Sequence, residues 1–315
     1  MGRGVSKLNR FIVLGLVCVL TVWLALNFGS VRNASDTIVI GLRLPRVIAA
    51  GLAGIGLSIS GLLLQTVTGN GLCAPNIIGI NSGAGLFVMI SLCAAPGLWR
   101  VLPLAAFCGA LLAAILVIAI AKTGAGEISK TTLILAGVAV GAFANAGISY
   151  LVLRYPDAAA AYSSFSVGGF RGVKTSELLI PGIIIGICLI ASLMLADRIK
   201  VLLLGDGIAS SLGVNVKLLR MLAVIIASAS AAAVISYAGL LGFVGLAVPH
   251  ISRPIVGQDI RHNIIACAEI GLSLVILADL AGRLLFAPSE LPAGIVTAAI
   301  GAPFFIYLII RKRYD

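Results

Sequence analysis

The stretch RLPRVIAAGLAGIGLSISGLLLQ, residues 43–65, decides how this chain is read. Two arginines open it, and after Arg46 no charged residue appears through residue 67. A helix of about 20 apolar residues crosses a bilayer. Gly51, Ala53, Gly54, Gly56, Ser58, Ser60 and Gly61 crowd the same run. Small side chains let helix backbones approach closely in lipid, where hydrophobicity gives helices no reason to associate. The stretch therefore reads as one helix of a packed bundle.

Working outward, similar runs recur at 11–28, 76–95, 101–121, 131–153, 179–196, 218–237, 239–256, 264–283 and 293–310, beside 46–67 itself. The expected fold is all-α: a polytopic membrane protein of about ten transmembrane helices in a single transmembrane domain, 1–315. Pro249 and Pro254 interrupt the run 239–256, as a spanning helix tolerates when neighbours satisfy the freed carbonyls. The run 11–28 follows Arg3, Lys7 and Arg10 but is long for a signal peptide and has no small-residue cleavage site after it, so it reads as the first span.

Composition agrees. The 315 residues are 60% hydrophobic and 10% charged, against roughly 25% charged in soluble domains. The formal charge of +11 would suggest nucleic acid, but the basic residues lie in short connectors between apolar runs, where membrane topology explains them. With both ends cytoplasmic, the inward connectors hold the larger share of the 22 Lys and Arg. The six cysteines form no CxxC pair and mostly sit inside apolar runs, as small hydrophobes.

Motifs for chemistry are scarce. GAGEISKT, 124–131, nearly spells a phosphate-binding loop, but Ser129 replaces a required glycine and no strand precedes it. If ATP drives this protein, another chain hydrolyses it. His250 and His262 have no ligand-spaced neighbours, so no metal is expected. No Ser, His and Asp set points to a hydrolase, and no cofactor is implied. Asp279 and Arg283 are four apart, the spacing of an ion pair. Glu269 has no assigned role. GLLLQTVTGNGLCAPNIIG (61–79) and GLLGFVGLAVPHISRPIVG (239–257) look alike, as either an internal repeat or a coincidence of Gly- and Leu-rich segments. In DRIKVLLLGDGIASSLGVNV, 197–216, Asp206 is placed to cap a short helix ended by Gly213, a candidate docking knob.

Several segments now converge: 43–65, NGLCAPNIIGINSGAG (70–85), LILAGVAVG (133–141), LLGDGIASSLGV (203–214), GLLGFVGLAVPHISR (239–253), ILADLAGR (276–283) and ELPAGIVTAAIGAPFFIYLI (290–309). In order and spacing, over almost the whole chain, they resemble the permeases of type II ABC importers for iron-siderophores, haem and vitamin B12. The sequence departs from the usual pattern at Gly71, Cys73 and Gly207.

The resemblance implies a ten-helix permease in the cytoplasmic membrane of a prokaryote, paired with a second copy or a sister permease. It also implies two cytoplasmic ATPase subunits, an extracytoplasmic substrate-binding protein and contact with membrane lipid, but no nucleic acid. It assigns Arg43, Arg46 and Arg283 to docking of the binding protein. ATPase coupling falls to Leu203, Leu204, Gly205, Asp206, Ile208, Ala209, Ser210, Leu212 and Gly213, and an inner gate to Lys130, Thr131 and Thr132. Iron-siderophore is the expected cargo, with haem or cobamide as alternatives. A membrane enzyme or receptor, the other class considered, would show polar residues clustered at one depth or a soluble signalling domain.

Overall fold

The structure, a computed structural model, describes residues 2–29, 35–95, 97–122, 129–287 and 289–312. Thirteen α-helices follow one another among them: α1 Gly2–Asn27, α2 Asp36–Ile38, α3 Leu44–Thr68, α4 Ile80–Ala94, α5 Leu102–Lys122, α6 Lys130–Arg154, α7 Pro156–Val167, α8 Leu179–Leu202, α9 Asp206–Ser211, α10 Val216–Ala238, α11 Val244–Val256, α12 Ile260–Leu284 and α13 Ala293–Lys312. Each expected apolar run carries a helix. Among the described residues, seven are long and apolar enough to span a membrane, and α3 to α2 count as one continuous span of 33 residues, Asp36–Thr68. The helices on three runs, α4, α11 and α13, are shorter or less continuously apolar. At 1.5 Å per residue, the 13 residues of α11 cover about 20 Å, less than the ~30 Å hydrocarbon core.

Helix α3 is the axis of the bundle, packed against α12, α10, α11 and α8. Its glycines explain the packing. A Cβ on Gly54 would lie 2.0 Å from the Gly271 carbonyl oxygen of α12, and one on Gly61 would lie 1.8 Å from that of Gly245 in α11. Only hydrogen fits at either crossing. Hydroxyls add hydrogen bonds between helices: Ser230 of α10 donates to Gly56 O at 2.9 Å, and Tyr237 donates to Ala49 O at 3.0 Å. Before Pro45, which has no N–H to offer, residues Val39–Arg43 widen into a π-helix.

Two expectations change. The run 239–256 is not helical throughout. Helix α10 stops at Ala238, Gly239 takes φ +70°, and α11 begins only at Val244, after Phe243 at φ +64°. The backbone freed here, and that of Gly168 beside it, finds partners at other helix ends. Leu240 N–H donates to Phe165 O at the end of α7, Gly169 N–H donates to Ala238 O, and Gly294 N–H donates to Gly168 O. Irregular backbone at membrane depth survives only when so enclosed. The residues before 179, read as a connector, contain the helix α7, started by Pro156 and packed against α4.

The two similar stretches also separate. Gly61–Thr68 is helical and is followed by turns, whereas Gly239–Phe243 is irregular and is followed by a helix. They are not two copies of one structural unit; they pack against each other at Gly61 and Gly245. Pro249 cannot donate to Gly245 O, and Gln65 Nε2 approaches that freed carbonyl at 3.4 Å.

Candidate functional site

At one end of the bundle, the first turns of α3 and the last turn of α12 gather the three arginines expected to dock a partner. Arg43 is buried and donates to Leu26 O and Asn27 O, both at 2.9 Å, closing the carbonyl end of α1. Arg46 binds Asp279 through Nε at 2.9 and 3.0 Å and reaches Glu290 through Nη1 at 2.7 Å. Arg283 Nε lies 3.1 Å from Asp279, the pair that the four-residue spacing implied, and its Nη atoms reach Ala25 O at 3.4 Å. The arginines are thus brought together, but each is already engaged.

A cavity of about 970 Å³ opens onto them, lined also by Arg171, Lys174 and Glu290. These three were missed as site residues: nothing in their connector marks Arg171 and Lys174, and Glu290, the first residue of the motif at 290–309, carried no role there. Burial opposes the charge of Glu290, but the hydrogen bond and charge of Arg46 prevail and hold its carboxyl below the usual range.

At the other end, Gly205 turns at φ +102° into α9, and Gly213 leaves it at φ +78°. Leu204, Ile208 and Leu212 are 58%, 55% and 62% exposed, while Ala209 is fully buried, so an apolar ridge stands out of the bundle on one small, close contact. Asp206 does not cap α9. The N-cap is Gly205, and the Asp206 carboxylate instead receives Arg220 Nη2 at 2.9 and 3.0 Å. Leu203 and Leu204 close the turn after α8 by bonds to Lys200 O and Val201 O.

Beside this knob begins α6. Ser129 caps it, accepting from Thr132 N–H at 3.0 Å, and Lys130 Nζ stands 3.7 Å from Asp206 Oδ1. Two groups of residues assigned separately, Lys130–Thr132 and Leu203–Gly213, thus meet at one point. Most of the 124–131 stretch lies outside the described residues.

The helix α1 is fastened to the end of α11 and along α12 by polar and ring contacts. Arg10 donates to Ile255 O, Phe11 stacks on His262, and the Cys18 thiol reaches Glu269 O at 3.2 Å and receives Ser273 Oγ at 3.3 Å.

With this geometry described, comparison with known proteins decides the family. Residues 10–311 match the FecCD transport family. The chain belongs to that family. It is 34% identical to the Fe(3+)-citrate import system permease protein YfmE of Bacillus subtilis (strain 168), over 96% of this chain and 95% of that protein. It is 40% identical to the iron(3+)-hydroxamate import system permease protein FhuB of the same organism, over 93% and 76%. With the hemin transport system permease protein HmuU of Yersinia pestis it shares 33% over 92% and 90%. Its fold is similar to a solved ABC transporter chain described as of metal-chelate type and inward-facing, with TM-score 0.88 and 26% identity over 96% and 99% of the two chains. The FecCD chain described here is a multi-pass membrane protein with the architecture of a type II ABC importer permease.

Proposed function

We propose that this FecCD chain is the permease subunit of an ATP-driven importer that carries an iron-siderophore or related metal chelate across the cytoplasmic membrane. The observation that carries the reading is the division of labour between the two ends of one bundle: a basic cavity at one, an exposed apolar ridge at the other. A soluble partner with acidic groups fits the first, and a partner with an apolar groove fits the second. The relatives' names, which include iron(3+)-hydroxamate, Fe(3+)-citrate and hemin import, support the cargo class.

In this reading the chain has no ATPase site of its own. Two cytoplasmic ATPase subunits seat on Leu203–Gly213, an extracytoplasmic binding protein docks over Arg43, Arg46 and Arg283, and a second copy or a sister permease completes the pathway. The inner gate lies at Lys130, Thr131 and Thr132. ATP-driven closure of the ATPase pair moves α9 and alternates the pathway between outward- and inward-open states.

The test is uptake in vesicles holding the permease, its ATPase and its binding protein, with ferric hydroxamate, ferric citrate, haem and cobalamin offered in parallel. ATP-dependent accumulation of a ferric chelate supports the reading. Accumulation of haem or cobalamin alone would move the cargo to the alternative, and no ATP-dependent uptake of any of the four would overturn it.

A further inference from the structure

We infer that Asp206 is the residue through which movement of α9 reaches the start of α6. The inference rests on reading α9 as the seat of the ATPase.

Helices α10 and α6 meet this α9 carboxylate directly, and α3 joins it through Arg220. Arg220 of α10 is buried, with its side chain 3% exposed, and holds Asp206 by both carboxylate oxygens. The same guanidinium donates through Nε to Val67 O at 3.1 Å. That carbonyl is in the last turn of α3, where helix carbonyls lack intrahelical donors. Lys130, the first residue of α6, also approaches Asp206, at the Oδ1 that Arg220 holds, and its stem lies over Gly69, just past the end of α3. Asp206 is itself the first residue of α9.

The two ion pairs differ in kind. Arg220–Asp206 is short, two-pronged and shielded on the arginine side. Breaking such a pair strands a buried charge, so it acts as a permanent joint. Lys130–Asp206 is longer, at 3.7 Å, and both side chains are 39% and 46% exposed. Exposed pairs of this sort are weak and screened by salt. A weak link beside a strong one suits a contact that breaks and re-forms in each transport cycle. Asp206 thus ties α9 firmly to α10 and α3, and reversibly to α6. It is a positioning residue and touches no cargo.

Asp206 itself is a poor target, because its loss would leave the buried Arg220 charge without its carboxylate. The test works from the other side of the weak link. In a cysteine-free background, Thr131→Cys reports the start of α6 by its maleimide labelling rate, measured on the permease–ATPase complex with and without a non-hydrolysed ATP analogue. ATPase retention is measured on the same samples.

With Lys130 in place, the analogue changes the labelling rate. With Lys130→Gln, that change shrinks by about fivefold, the scale of one exposed ion pair, while the ATPase stays bound. Lys130→Arg restores it, and high salt mimics Lys130→Gln. A full nucleotide response in Lys130→Gln overturns the inference, as does the absence of any response with Lys130 present. If the wild-type chain retains no ATPase, the docking reading itself fails, and this inference with it.

Discussion

Arg46 does two things at once: it neutralises the buried Asp279 and holds Glu290 across the mouth of the basic cavity. Replacing it by Met removes charged hydrogen bonds to a carboxylate that keeps only Arg283. The expected cost is about 2 kcal/mol, read as a lower melting temperature in detergent, with Arg46→Lys recovering part of it. Capture of the binding protein is then compared at a temperature where both proteins are folded. If the cavity docks that partner, capture weakens and loses part of its salt dependence; unchanged capture would remove Arg46 from the docking surface. Glu290 supplies a pH test. Its folded pKa lies below the ordinary value, so its ion pair stabilises the protein above about pH 4.3 and is lost as pH falls through the lower, folded value. The melting difference between wild type and Glu290→Gln should be constant from pH 6 to 5 and vanish at strongly acid pH. The residues at this site were only half legible. Arg43, Arg46 and Arg283 stand in motifs, and the spacing of Asp279 and Arg283 announced their pairing. Arg171 and Lys174 reach the cavity through long-range folding that no local pattern encodes, and Glu290, though it opens the motif at 290–309, pairs with Arg46 only across that same distance.

Among the elements, α9 makes the sharpest claim. Leu212 is exposed, so Leu212→Asp costs the bundle little and should leave membrane insertion intact. As part of an ATPase seat it should release the ATPase or uncouple hydrolysis from uptake. Co-purification and vesicle transport check this, and full assembly with wild-type transport would exclude α9 as the coupling element. Helix crossings give a second contrast. Gly54→Ala drives a Cβ into the Gly271 backbone and should lose at least the ~1–3 kcal/mol of an overpacked core. Gly186→Ala on α8 meets nothing within 4 Å and should be neutral or stabilising by up to about 1 kcal/mol; detergent melting curves of both variants test this. Apolar length and small-residue crowding made most elements readable. The break at Gly239–Phe243 was not readable, because Leu240, Leu241 and Phe243 are as apolar as any helix and the acceptor of the Leu240 N–H, Phe165 O, comes from α7. Helix α7 was overlooked for the converse reason: its alanines and serines form a helix that is too short and too polar to register as a span.

For the whole molecule, the alternating helices predict that both ends of the chain face the cytoplasm. Cysteines substituted at Lys7 and Arg311 should resist an impermeant external reagent in intact cells, and labelling of both would reverse the topology. The two ends of the bundle were foreseen as separate docking surfaces; their internal wiring was not, since Lys130 to Asp206 and Arg46 to Glu290 join residues far apart in the sequence. One feature of that wiring concerns time. Helix α1 is mostly uncovered, with 11% of its apolar window buried, and its partners come from α12 and the start of α3. Ala25 precedes Arg283, which it receives, by 258 residues. At roughly 5–20 residues per second, a ribosome needs on the order of ten to fifty seconds to make the intervening chain. During that interval α1 stands in the bilayer without its main neighbour, its lipid-facing leucines and valines at home there. The Ala25 carbonyl is a socket prepared well before Arg283 fills it, so the basic cavity is among the last parts of the protein to come into being.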